Sequence, residues 1–277
     1  MLNSSKKKKL LWIFFAISVL FNGIALVFLG GMLYKADLRD KTDVPYKADS
    51  STPFQDKKIA FLGDSITYGF DPDNKGKQMK NPWVKQVGEK LQAQECLNYG
   101  VNSASVMDIK GTRMAAIGAY KQMNKDVDIF GVMIGINDAY RKYPLGMFTD
   151  RTPDTFYGSL HLMWRGILKQ YPPSSGKKVF FIMYPRYDVL PFWPAYQQAL
   201  YEVADFYSIP ICDLGKELGI SPDADDTYTY WPEETYAGKA GRHSAHPTQK
   251  GANLYADVIS NYIRRQFGCS AGYSRKE

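Results

Sequence analysis

Histidine and cysteine are both scarce in this chain, with three of each among 277 residues. No CxxC pair occurs, so neither a dithiol redox motif nor a thiolate metal finger is present in the sequence. Cys96, Cys212 and Cys269 are far apart. The first two fall in apolar runs that read as strands, where a buried free thiol is expected rather than a disulfide. Acid is absent from residues 1 to 33, and four of the surplus cations are Lys6 to Lys9. The remainder carries 31 basic against 28 acidic groups, a net +3. So small and scattered an excess excludes a nucleic-acid-binding surface. No internal repeat is visible. "GKQ" at 76–78 lacks the Ser or Thr and the spacing of a phosphate-binding loop, and no GxSxG elbow is met because Thr67 occupies its last position.

One long apolar run is present. Leu10 to Leu33, "LLWIFFAISVLFNGIALVFLGGML", is 24 residues without a charge. About 20 apolar residues suffice to cross a bilayer as a helix. A secretory signal would have a shorter apolar core, about 7–15 residues, and a small-residue cleavage site. Here Ala36 offers only a poor one. The expectation is a retained transmembrane helix over 10–33, with residues 1–9 as a basic cytoplasmic tail and the rest outside the cytoplasm. Residues 34 to 54 are polar, aperiodic and contain two prolines, and read as a linker. A domain over 55–268 and a short tail over 269–277 follow.

Within the domain, short apolar runs alternate with longer amphipathic stretches. "KKIAFLGDS" (57–65), "CLNYGV" (96–101), "VDIFGVMIGIND" (127–138), "KKVFFIMYP" (177–185) and "IPICDL" (209–214) are bounded by turn residues. Met107, Met114, Ile117 and Tyr120 have helical spacing, as, less regularly, do Phe156, Leu160, Met163 and Leu168. Wholly apolar strands alternating with helices predict an α/β fold with a parallel sheet covered on both faces. In such sheets the functional site lies at the carboxyl ends of the strands.

Ser65 follows the first strand in "GDSITYG", where flanking glycines allow a sharp turn that exposes a hydroxyl. Gly100 ends the second run in "NYGVNSAS", and Asn137 stands after the third in "GINDA". Each alone has an ordinary reading, as a helix cap or a strand end. In this chain order, with His246 and Pro247 in "GRHSAHPTQKG", they resemble the four blocks of the SGNH (GDSL) hydrolase family. The resemblance covers about residues 57 to 267 and implies a three-layer α/β/α sandwich, flavodoxin-like, with a five-stranded parallel sheet. It also implies ester hydrolysis by a serine nucleophile, without a cofactor.

The chemistry of the residues agrees. Acyl transfer needs a nucleophilic oxygen, a base for its proton, and donors aimed at the tetrahedral oxyanion. Ser65 is the candidate nucleophile and His246 the base. The backbone N–H groups of Ser65 and Gly100 and the Asn137 side-chain amide are the candidate oxyanion donors. Asp64 reads as structural, tying the elbow by hydrogen bonds. A metal clip at His243 and His246 would need further carboxylate or thiolate ligands. The helix after the loop carries Leu254, Val258, Ile259 and Ile263 at helical spacing and should pack on the sheet.

Position 243 departs from the family, which normally has aspartate three residues before the catalytic histidine. That carboxylate fixes the imidazole's tautomer and stabilises the imidazolium. His243 does neither. An acid from the preceding loop can substitute (Asp225, Asp226, Glu233 or Glu234), the site can work as a Ser–His dyad, or the domain can bind envelope glycan without turnover. Two aromatic stretches flank the site, "YPRYDVLPFWPAY" (184–196) and the loop 221–242. Tyr228, Tyr230, Trp231 and Tyr236 either line a sugar or acyl site or pack the loop onto the domain. A tether outside the cytoplasm makes an acylated envelope carbohydrate or lipid the expected substrate.

Overall fold

The computed structural model describes residues 53–74, 76–109, 112–185, 193–220, 229–236 and 239–268, with 233–236 and 239–243 described by backbone alone. The expected transmembrane helix, the tail with Cys269, Asp225, Asp226 and Tyr228 lie outside these residues. The linker does too, except at its end, where Phe54 is buried in the core. By backbone contacts the chain divides into Met1–Ser51 and Thr52–Glu277. Among the described residues no helix is long and apolar enough to cross a membrane.

Five strands form one parallel sheet: β1 (Lys58–Gly63), β2 (Glu95–Gly100), β3 (Ile129–Met133), β4 (Lys178–Met183) and β5 (Ile211–Asp213). Their order is β2-β1-β3-β4-β5. Every residue of β3 is buried, as are the last five of β1 and of β4. Strands covered on both faces need apolar side chains throughout, which is why these runs do not alternate. The helices are α1 (Ser65–Tyr68), α2 (Trp83–Leu91), α3 (Ala116–Ala119), α4 (Ile136–Tyr140), α5 (Phe156–Gln170), α6 (Trp193–Phe206), α7 (Leu214–Glu217) and α8 (Gln249–Phe267). A two-stranded antiparallel ribbon, β6 (Glu233–Tyr236) with β7 (Lys239–His243), precedes α8.

Neighbouring residues of β4 show the three layers. The Phe180 ring stacks on Tyr262 of α8 at 5.5 Å, and Phe181 meets Trp164 of α5 at 6.0 Å. Successive strand residues point to opposite faces, so α8 and α5 cover opposite sides. Helix α2 lies with α8, joined by Gln86 Nε2 donating to Asn253 Oδ1. The buried stripe of α8 is Ala252, Tyr255, Ala256, Ile259 and Ile263, whereas the expected Leu254 and Val258 are only half-buried beside it.

One expected helix is mostly absent. Met107, Met114, Ile117 and Tyr120 have helical spacing, yet only Ala116–Ala119 is α-helical, followed by a 3₁₀ turn over Tyr120–Gln122. Residues 105–107 are held elsewhere. Ser105 bridges Ala115, and the N–H groups of Val106 and Met107 donate to the Asp138 carboxylate. Those N–H groups cannot also serve a helix.

Candidate active site

The strand order changes direction between β1 and β3, and the crevice at that switch is where such sheets hold their ligands. Ser65 stands directly after the turn from β1, and Asn137 just past β3. Asp64 caps α1: its Oδ1 accepts from Ile66 N–H at 2.9 Å, and its Oδ2 accepts from the Tyr184 hydroxyl at the end of β4. Burial pushes the Asp64 carboxyl up to about 6, against the lowering effect of the Tyr184 and Ile66 hydrogen bonds. The expected structural role of Asp64 is what this geometry describes.

His246 reaches the elbow from the far end of the domain, with Nε2 2.8 Å from Ser65 Oγ. Its loop is stapled to the segment before the ribbon. Ser244 N–H donates to Pro232 O at 2.7 Å, and Thr248 N–H donates to Tyr230 O at 2.7 Å. Thr248 also caps α8 by accepting from Gly251 N–H. Trp231 is buried and donates from Nε1 to the Tyr255 hydroxyl of α8. It therefore packs the loop and offers no face to a sugar. Tyr230 is partly buried against the same core, while the Tyr236 side chain lies outside the description. One face of the His246 ring is stacked by Phe70, with centroids 4.1 Å apart and planes at 28°.

Gly100, an expected oxyanion donor, packs tightly against the elbow. It pairs with Gly63 across β1 and β2, and a Cβ there would lie 2.1 Å from Tyr68 N. Only glycine lets the strand run this close to α1. Its N–H donates to Asn98 Oδ1 at 2.8 Å, while Asn98 Nδ2 donates to Thr67 O. The described role of Gly100 is thus close packing of the elbow, with its N–H already bonded.

Helix α4 clamps the loop after β2. Asn137 gives one Nδ2 hydrogen to Ala104 O at 2.8 Å, and an amide nitrogen has two. Asp138 accepts from Val106 and Met107 N–H at 2.9 and 3.0 Å, and Arg141 donates to Ser103 O at 3.1 Å. Burial raises the Asp138 carboxyl to about 7. Asp138, Arg141 and Phe70 are neighbours of the candidate site that the sequence reading missed. Asp138 stood in view, next to Asn137, but nothing in the spacing pointed to its partners 31 and 32 residues away.

His161 does not join the pair. His161 is buried in α5, between the Tyr207 hydroxyl and Phe148 O, as a structural residue. The backbone of His243 lies opposite Glu233 in the ribbon, with Glu234 opposite Arg242; these side chains lie outside the description. Cys96 and Cys212 are free, and the Cys96 thiol, pushed up to about 12 by burial, is no nucleophile at neutral pH. Among the described residues no cluster of His, Cys, Asp or Glu could hold a metal ion.

A serine after the first strand and a histidine before the last helix thus meet at the carboxyl edge of the sheet, where Asn137 follows the third strand. The sequence profile of the GDSL-like Lipase/Acylhydrolase family matches residues 61–254, which include all three. The chain belongs to this family. Its fold recurs in solved structures of low identity. A Lactobacillus plantarum protein is 20% identical with a TM-score of 0.61, over 76% of this chain and 98% of its own. A lipase/acylhydrolase from Enterococcus faecalis is 19% identical with a TM-score of 0.50, over 76% and 96%. A carbohydrate acetylesterase family member from Sinorhizobium meliloti is 15% identical with a TM-score of 0.51, over 76% and 99%. No curated protein matches the chain. As a GDSL-like acylhydrolase, the protein is an ester hydrolase in general class.

Proposed function

We propose that this acylhydrolase is a membrane-anchored, extracytoplasmic serine esterase. It removes an O-acyl group, O-acetyl in the simplest case, from a carbohydrate or lipid of the cell envelope, or transfers it to another hydroxyl. The observation that carries this reading is the Ser65 Oγ to His246 Nε2 contact of 2.8 Å at the carboxyl edge of the sheet. His246 takes the Ser65 proton as Oγ attacks the ester carbonyl. The oxyanion that forms is met by the second Asn137 amide hydrogen and the Ser65 N–H. Collapse expels the alcohol, which takes the proton from His246. Water or an acceptor hydroxyl then attacks the acyl-enzyme by the same route in reverse. The uncharged Leu10–Leu33 run with Lys6–Lys9 before it supports the anchor, and an anchor of that orientation places the domain among envelope glycans and lipids. The acetylesterase neighbour supports the acyl class only by its fold.

The test uses the purified full-length chain with a short-chain aryl ester and an acetylated glycan. Turnover should vanish in Ser65→Ala, and a serine-directed phosphonate should label Ser65. Turnover unchanged in Ser65→Ala would overturn the assignment. Absence of both turnover and labelling would favour a glycan-binding module.

A further inference from the structure

Position 243 lacks the carboxylate that would steady the catalytic imidazole, yet one face of that imidazole carries an aromatic ring. Phe70 stacks on His246 at 4.1 Å with planes 28° apart, an offset contact of aromatic faces. We infer that Phe70 is a positioning residue for catalysis, which fixes the ring plane of His246 and stabilises its imidazolium through the π face. The inference rests on the Ser65–His246 reading above.

The chain builds this contact deliberately. Phe70 is five residues after Ser65 and its N–H donates to Ser65 O at 2.9 Å, so one short segment carries the nucleophile and steadies the base. The Phe70 ring is backed by Gly76, where a Cβ would lie 2.4 Å from ring carbon Cε2. Gly76 has φ +73, a left-handed backbone that glycine adopts freely. The segment between is closed by Met79 N–H donating to Gly69 O at 2.7 Å, Asp71 N–H to Lys77 O at 2.9 Å, and a bridge between Phe70 and Gln78. The half-buried phenyl ring thus lies in contact with both Gly76 and the His246 ring.

The energetic case concerns the moment of attack. When His246 takes the Ser65 proton it becomes a cation within 6 Å of an aromatic centroid, the range over which a ring quadrupole attracts charge. The same contact is weaker for the neutral imidazole, so it favours the transition state over the ground state. A carboxylate bonded to the imidazole acts in the ring plane and sets the tautomer; a stacked ring acts on the face and sets the tilt. The π contribution thus adds to whatever group Nδ1 meets.

The experiment replaces Phe70 in the full-length protein with phenylalanines carrying one, two and three ring fluorines, which drain the π face with little change in shape. Asp64, Asp71, Asp73, Lys75 and Lys77, the charged residues of the elbow and the Phe70 segment, stay as they are. The expected result is a stepwise fall in kcat with KM within about two-fold, and a parallel fall in the apparent pKa of the His246 imidazole read by NMR, with His246→Gln for assignment. Phe70→Leu should lose on the order of ten-fold in kcat, and Phe70→Tyr should retain nearly all. A flat kcat and a flat imidazole titration across the fluorinated series would overturn the inference, whatever Phe70→Leu does. If the unaltered protein shows no Ser65-dependent turnover, the proposed activity fails, and the imidazole titration still decides the role of Phe70.

Discussion

Asn137 has two amide hydrogens, and the loop carbonyl of Ala104 uses one. If the other meets the oxyanion, Asn137→Ala should lower kcat by roughly 10²–10³ with KM little changed, the usual loss for one such donor. Loss confined to KM in steady-state assays would remove Asn137 from the oxyanion hole. Its neighbour Asp138 allows a test by stability. The Asp138 carboxyl is raised by burial to about 7, above an unfolded value near 4, so the folded state holds its proton more tightly. Its contribution is therefore full below about pH 4 and is lost as pH rises towards 7. Asp138→Asn cannot ionise and accepts the Val106 and Met107 N–H groups less well, costing about 1–3 kcal/mol. The melting-temperature gap between wild type and Asp138→Asn should be wide near pH 5 and narrow by pH 8. His161, whose imidazole burial lowers, is the same in both proteins and cancels. A gap that widens with pH would contradict this account.

Among the elements, the pairing of α1 with the end of β2 leaves no room for a side chain at Gly100. Gly100→Ala would drive a methyl into the backbone at Thr67 and Tyr68. Overpacking of this kind costs roughly 1–3 kcal/mol. Both the melting temperature and kcat should fall, and a variant as stable and active as wild type would show that the elbow can shift freely. The ribbon bears on the missing acid. Its register sets Glu233 across from His243 and Glu234 across from Arg242 by backbone position. On the dyad reading, His243→Asp should raise kcat and Glu233→Gln should change it little. A drop with His243→Asp together with a large loss in one of Asp225→Asn, Asp226→Asn, Glu233→Gln or Glu234→Gln would refute the dyad. The strands were legible because each is a short run of apolar residues ended by glycine or a turn, and Ser65 and Asn137 because each follows such a run; His246 was legible only through the family resemblance, with Pro247 after it. The 101–115 loop was misread for the opposite reason. Its methionines have helical spacing, but the Asp138 carboxylate claims the N–H groups, and long-range polar claims leave no local period. Trp231 was ambiguous because an aromatic residue in a long loop looks the same whether it faces a ligand or the core.

For the whole molecule, the proposed anchor makes a prediction independent of catalysis. Protease added to intact cells should digest the domain, and full protection of a C-terminal tag with the membrane unbroken would reverse the topology. The two ends of the domain also have to meet before any chemistry exists. Ser65 and His246 are separated by 181 positions, and α8, which carries the histidine loop, docks on α2 near the start of the domain. A contact this distant in sequence forms late, because the intervening chain must first close. The strands from β1 to β5 can emerge and pair while the base is still missing, so a partly synthesised or truncated chain holds a serine with no proton acceptor beside it. On the proposed mechanism, ester cleavage begins only when the last helix is in place, and turnover becomes a readout of complete folding.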